Sequence, residues 1–191
     1  MGKVRFGLKN VHYAVLNEEE GTFGTPVAVK GSVSLTLDPE GDTSTFYADD
    51  GPYAIFTTNN GYSGTLEIAA AEDQMLQDLL GYVDDSGVQL EFTDAKQATF
   101  ALMFEVSGNE VEQRTCLYSC KLNRSSSKAN TKQDSTDPDT QSFDFKMTGF
   151  ETTFKGETRT IAKATLENTA ANKEKFKTFF DKVYIPTAAA A

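Results

Sequence analysis

Residues 32–68, SVSLTLDPEGDTSTFYADDGPYAIFTTNNGYSGTLEI, open and close on alternating segments. In 32–38, Val33, Leu35 and Leu37 point one way, and Ser32, Ser34 and Thr36 the other. In 62–68, Leu66 and Ile68 oppose Ser63, Thr65 and Glu67. A period of two with one dry and one wet face predicts strands of an antiparallel sheet. Residues 142–148, SFDFKMT, repeat the pattern: Phe143, Phe145 and Met147 oppose Ser142, Asp144, Lys146 and Thr148. The fold class expected is therefore mainly β. The 23 threonines, 14 phenylalanines and 7 tyrosines agree, because β-branched and aromatic residues suit a pleated, half-buried surface.

Between the first two strands, 38–61 reads as a long irregular loop. It carries Phe46, Tyr47, Tyr53, Ile55 and Phe56. Five large apolar side chains are unusual on a solvated loop, so one reading is an interaction loop that a partner covers. The other is a small strand pair packed on its own domain.

Working outward, 99–106, TFALMFEV, is apolar enough for burial on both faces. Further strands are expected over 11–16, 26–30, 43–48, 88–92, 112–122 and 156–166. Asp49-Asp50-Gly51-Pro52, Asn59-Asn60-Gly61 and Asp84-Asp85-Ser86-Gly87 supply residues that tolerate positive φ at turns. A helix is expected over 72–80, with Glu72 and Asp73 at its positive end, Met75, Leu76, Leu79 and Leu80 as its apolar stripe, and Gly81 as its stop. A C-terminal helix is expected over 172–183, where Phe176, Phe179, Phe180 and Val183 follow i, i+3, i+4, i+7. Residues 123–139, NRSSSKANTKQDSTDPD, read as a flexible polar loop. Residues 1–10 and the tail after Pro186 are expected to be poorly ordered in an isolated subunit. A length of 191 residues suits one domain over 1–191.

Composition narrows the function. The net charge of −10 argues against a grip on nucleic acid, which needs clustered Lys and Arg, and against an anionic membrane surface. No apolar run reaches the ~20 residues that span a bilayer, and no export signal is expected from the opening residues. If CLYSC is one strand, Cys116 and Cys120 lie on one face about 13 Å apart at ~3.3 Å per residue. That is too far for a disulfide, and half-buried thiols in a reducing compartment are expected. C-x-x-x-C is not a zinc spacing, and His12, the only histidine, cannot complete a site with it. A Ser-His-Asp triad would need His12 as its base, whereas VHYAVL reads as a polar residue on a strand face. GYSG at 61–64 lacks the rest of any phosphate-binding signature. No catalytic, cofactor or metal residues are assigned.

Charge is uneven along the chain: −4 over 1–60, −9 over 61–115 and +3 over 116–191. An acidic middle and a basic C-terminal third could meet head to tail between copies.

The run from Val11 to Ala69 resembles the major tail proteins of long-tailed bacteriophages of Gram-positive bacteria, in the branch called the phi13 type. Three pieces carry the likeness: KNVHYAVL at 9–16; Gly31 to Asp38 followed by FYADDGP; and NNGYSGTLEIA followed by a helix spaced M-L-x-x-L-L. It continues more weakly through QATFALMFEV, TCLYSCKLNRSSS and TQSFDFKMTGFETT. The resemblance implies an antiparallel β-sandwich or barrel with a flanking α-helix. It implies hexameric rings that stack into a tube, assembled in the host cytoplasm and carried in the virion tail, an architecture shared with type VI secretion tubes. Implied partners are further copies of the chain, tape-measure, terminator and distal tail proteins, and passing genomic DNA that is not specifically bound. A neutral or negative lumen would let DNA slide, because it offers no counterion release. Ser32, Ser34, Thr36, Ser63, Thr65 and Glu67 are the lumen-facing candidates, although the same faces would also suit the outer wall. The competing readings are a monomeric β-sandwich that binds carbohydrate or protein, and a carboxylate-based hydrolase. The absence of Trp weighs against sugar stacking.

Overall fold

The computed structural model describes residues 5–108, 111–125 and 139–186. In chain order the strands are β1 (Arg5–Asn17), β2 (Thr22–Phe23), β3 (Val27–Ala28), β4 (Ser32–Pro39), β5 (Thr43–Ala48), β6 (Gly51–Thr57) and β7 (Tyr62–Ile68). Helix α1 (Asp73–Leu80) follows, then β8 (Val83–Asp85), β9 (Val88–Leu90), β10 (Phe100–Gly108), β11 (Gln113–Leu122) and β12 (Gln141–Met147). The chain continues through β13 (Phe150–Phe154), β14 (Glu157–Ile161), β15 (Lys163–Glu167) and helix α2 (Lys173–Lys177). The fold is mainly β and antiparallel, as expected.

Alternating burial builds the main sheet. Its nine strands run β2-β1-β10-β11-β12-β7-β4, with β15 also on β11 and β3 also on β1. On β7 and β12, Leu66, Ile68, Phe143, Phe145 and Met147 are buried. The sheet curls on itself through the segment 27–39. Its first part pairs with β1 at His12↔Ala28 and Tyr13↔Val27, and its second part pairs with β7. Val29 N–H also donates to the Val11 carbonyl at 2.7 Å. The enclosed face forms one core, which includes Tyr13, Phe100, Leu102, Leu117, Phe143 and Phe145.

Helix α1 closes that core with Met75, Leu79 and Leu80. Gly81 ends it at φ 74, where its N–H bonds back to the Gln77 carbonyl, a left-handed cap that lacks the Cβ penalty. Tyr13 hydroxyl donates to Asp78 at 2.7 Å and ties β1 to the helix. Burial, aided by that carboxylate, pushes the Tyr13 pKa up.

β10 is buried on both faces, as the composition of 99–106 predicts, and β11 is buried on both faces as well. On the outer side, Ala14, Ala101, Met103, Cys116 and Tyr118 are covered by Phe179 and Val183, with Phe150, Ile161 and Phe180 at the margin. The expected C-terminal helix over 172–183 is shorter: only Lys173–Lys177 is helical and the chain then turns. Phe176, Phe179 and Val183 are still buried. The i, i+3, i+4, i+7 spacing marked a buried stripe, and turns deliver it as well as a continuous helix would.

Three further expectations are corrected. Cys116 and Cys120 do not share a face. Cys116 lies in the outer core and Cys120 in the inner one. Ser119 sits at φ 51, and β11 carries an extra residue between Leu117↔Leu102 and Cys120↔Phe100. Such a bulge reverses the alternation. Both thiols are fully buried rather than half-buried, and burial pushes both up, Cys116 to about 12. Second, residues 5–10 have a partner: Arg5↔Gly108, Leu8↔Val106 and Lys9↔Glu105. Third, 156–166 is not one strand. β14 folds back on β13 and β15 joins β11. Residues 126–138, most of the loop expected over 123–139, lie outside the described residues, as do 1–4 and 187–191.

Gly64 lies where β4, β7 and β12 meet. A Cβ there would stand 2.2 Å from the Thr36 carbonyl oxygen and 2.8 Å from the Phe145 ring. Gly64→Ala is therefore expected to cost ~1–3 kcal/mol through overpacking. The urea midpoint reads this, and an unchanged midpoint would show that the three strands do not meet this closely.

Candidate assembly surface

The stretch 38–61 is a hairpin arm and not an irregular loop. β5 and β6 pair from Thr43↔Thr57 to Ala48↔Gly51, and Asp49 and Asp50 turn the tip at φ 52 and 60. Two consecutive positive φ values are what a two-residue hairpin turn of right-handed twist requires. The arm is rooted in the sheet. β4 pairs with β7 as far as Pro39↔Tyr62, and the ladder continues through Glu40 N–H to the Gly61 carbonyl at 2.9 Å and Thr58 N–H to the Asp42 carbonyl at 2.9 Å. Residues 32–68 are thus one long ribbon whose lower half belongs to the sheet and whose upper half stands alone.

The sequence placed five apolar residues here, and all five are 56–73% exposed. The reading of a strand pair packed on its own domain is half right, since the strands exist and the packing does not. Phe46 pairs with Ala54, so Phe56 shares its face, while Tyr47 and Ile55 point to the other. The Phe46 and Tyr53 rings meet edge to face at 6.3 Å. Both faces of the arm therefore present large apolar side chains to solvent. An isolated two-stranded hairpin is marginal in water.

A second surface is the wet face of β4, β7 and β12. Directly opposed residues give the rows Ser34–Glu67–Ser142, Thr36–Thr65–Asp144 and Asp38–Ser63–Lys146. Ser34 hydroxyl donates to Glu67 at 2.8 Å, Thr65 hydroxyl to Asp144 at 2.6 Å and Ser63 hydroxyl to Glu40 at 2.6 Å. Bonds from Thr140 and then Ser34 hold the Glu67 carboxyl below its usual range. Five of the six candidates, Ser34, Thr36, Ser63, Thr65 and Glu67, thus share one polar face. Ser32 does not. A bulge between Ser32 and Ser34 sets Ser32 opposite buried Ile68, bonds its hydroxyl to the Val29 carbonyl at 3.3 Å and leaves Val33 exposed.

A third feature was not anticipated. An open cleft of about 610 Å³ lies beside β11 and β12, with Leu16 and Phe150 among its walls and Lys121, Lys146, Glu18 and Thr148 around it. Lys121 and Lys146 are direct cross-strand neighbours. Lys146 in the wet row of 142–148 is the only trace of it in the sequence, because the pairing with Lys121 exists only once β11 and β12 are in register.

His12 is the polar strand residue expected. Its ring stacks on Phe180 at 4.5 Å and its Nδ1 lies 2.9 Å from the Asn10 carbonyl oxygen. Among the described residues there is no group of three or more His, Cys, Asp or Glu placed to hold a metal ion, and no helix long and apolar enough to cross a membrane. No family model and no curated protein matches this chain.

Proposed function

We propose that this protein is a self-assembling structural subunit of a bacteriophage tail tube, in which hexameric rings stack into a conduit for genomic DNA. The observation that carries the reading is the arm. A two-stranded hairpin with large apolar side chains on both faces has no stable place in water on its own, and copies of the same chain are the simplest cover for it. The likeness of 11–69 to major tail proteins names the kind of assembly. By the same likeness its partners would be tape-measure, terminator and distal tail proteins. Negative-stain microscopy of the purified protein is the test. Rings or tubes of uniform diameter are expected. A compact monomer at every concentration would favour a monomeric binding module instead.

In this reading the wet face of β4, β7 and β12 lines the channel. Its hydroxyls and carboxylates offer a polyanion little to hold, and Lys146 is the one base in its rows that would attract phosphate. Screening at physiological salt limits charge effects to ~8 Å, so lysines placed on this face would act on DNA only if it faces the lumen. Ser34→Lys with Thr65→Lys is expected to slow or stall genome ejection while tubes still assemble. Ejection at the normal rate would place this face on the outer wall.

A further inference from the structure

We propose that the cleft beside Lys121 and Lys146 receives the acidic tip of the hairpin arm, Asp49–Asp50, from a second copy of this chain. The inference rests on the self-assembly reading and adds to it the surface on which the arm lands.

Three observations converge on this pairing. The first is an unbalanced charge. Lys121 and Lys146 stand directly opposite on neighbouring strands, and both are exposed. Like charges directly opposed on a sheet destabilise it. Among the described residues no ion pair is seen at either, nor at Lys96, Lys155, Lys163, Lys173, Lys175 or Lys182, so what sets these two apart is that they face each other directly. The one acid at the cleft, Glu18, already accepts the Thr99 hydroxyl at 2.7 Å.

The second is the sign of the arm. Residues 38–61 contain Asp38, Glu40, Asp42, Asp49 and Asp50 and no Lys or Arg. The two aspartates at the tip are adjacent, as the two lysines are, so one pair can meet the other. The third is the apolar content of both parts. Tyr47 and Tyr53 flank the tip, and the cleft walls include Leu16 and Phe150. A charge pair set in an apolar surround is screened less than one on open surface.

Donor and acceptor are different patches, so the contact is heterologous. Contacts of that kind run head to tail and close into rings or continue as filaments. The cleft also abuts the wet face of β12 through Lys146. Cover by an acidic arm would neutralise the only base in the rows that face shares with β4 and β7.

The test has two parts. In the first, Asp50→Cys protein is mixed with Thr148→Cys protein under mild oxidation. The native thiols are buried and should not compete. A disulfide-linked dimer is expected to form faster and in higher yield from the mixture than from either protein alone. In the second, Lys121→Glu with Lys146→Glu should raise the concentration needed for assembly on the order of tenfold or more, about 1.4 kcal/mol. Asp49→Lys with Asp50→Lys should do the same, and mixing the two reversed proteins should restore assembly. If tubes form and no cross-link appears, or both reversals assemble normally, the cleft is not the acceptor and the assembly reading stands. If the lysine reversal leaves assembly intact but abolishes binding of a labelled single-stranded oligonucleotide, the lysines serve nucleic acid and the proposal is overturned. If the unaltered protein never assembles, both readings fail.

Discussion

Replacing 43–57 with a short Gly/Ser linker is expected to leave a folded protein that forms neither rings nor tubes. The fold should survive because the cut falls above the root. The β4–β7 ladder to Pro39↔Tyr62 and its continuation through Glu40 and Gly61 remain. No arm residue belongs to either buried core. The thermal midpoint should therefore move little, and could rise as exposed apolar surface is removed. Assembly should be lost outright. Phe46, Tyr47, Tyr53, Ile55 and Phe56 each carry a large apolar area, and fully burying such side chains is worth roughly 1.5–3 kcal/mol apiece. A contact that loses several of them cannot be recovered by raising the concentration within a practical range. Sedimentation velocity with circular dichroism separates the two effects. Normal tubes from the folded deletion would refute the arm as an assembly element, and a collapse of the β-signal would show that the arm is part of the fold.

How much of this was legible in the sequence depends on the kind of residue that carries each feature. β4, β7 and β12 were readable because each divides its side chains into one dry and one wet row. α1 was readable from its stripe and from Gly81. What escaped were the bulges inside strands, some of them where a non-glycine residue takes a positive φ. Ser119 and Asn10 do so at φ 51 and 53, next to register shifts on their own strands. Nothing in a serine or an asparagine announces the bulge that results. The unseen bulge at Ser119 is why the two cysteines were placed on one face, and the bulge between Ser32 and Ser34, which has no positive φ at Val33, is why Ser32 was placed on the wrong one. The arm failed differently. Its aromatic content was visible and a strand pair was one of two readings, but nothing chose that pair over an irregular loop, because a ribbon exposed on both faces shows no alternation of wet and dry. The cleft escaped because it is made by strand register, which no local pattern encodes.

Arg114→Ala is expected to cost ~1.5–3 kcal/mol, the range for a hydrogen bond to a charged group, because Lys9 and Asn10 stay on the Glu105 carboxylate. Arg114 Nε donates to Glu105 at 2.9 Å, and Glu105 is only 2% exposed. Lys9 lies 3.0 Å from the same carboxylate and 2.9 Å from Glu112, and Asn10 Nδ2 donates to Glu105 at 3.0 Å. The guanidinium also donates to the Phe176 carbonyl and lies 4.0 Å over the Phe176 ring and 4.6 Å over that of Phe180. It thus fastens the C-terminal segment over the outer core. Arg114→Lys should rescue little, because an ammonium cannot stack on two rings and serve two acceptors at once. Burial alone pushes the Glu105 carboxyl up, but the bonds from Asn10, Lys9 and Arg114 and the charge of Arg114 outweigh it and leave the carboxyl below its ordinary value. A depressed carboxylate stabilises the fold above the unfolded value of ~4.3, and that contribution fades as pH falls through the lower, folded value. Removing Arg114 leaves the burial with less to oppose it, so the acid limb of the variant should shift to higher pH. Glu105→Gln should flatten the same limb, since no proton is then taken up at that position. Trypsin supplies a local readout at Lys173, Lys175, Lys177 and Lys182. If the segment is held by this arginine, cleavage there should accelerate in Arg114→Ala at pH 7 before the rest of the chain is cut. An unchanged urea midpoint together with unchanged cleavage would mean that Phe176, Phe179 and Val183 anchor the segment without the ion pair.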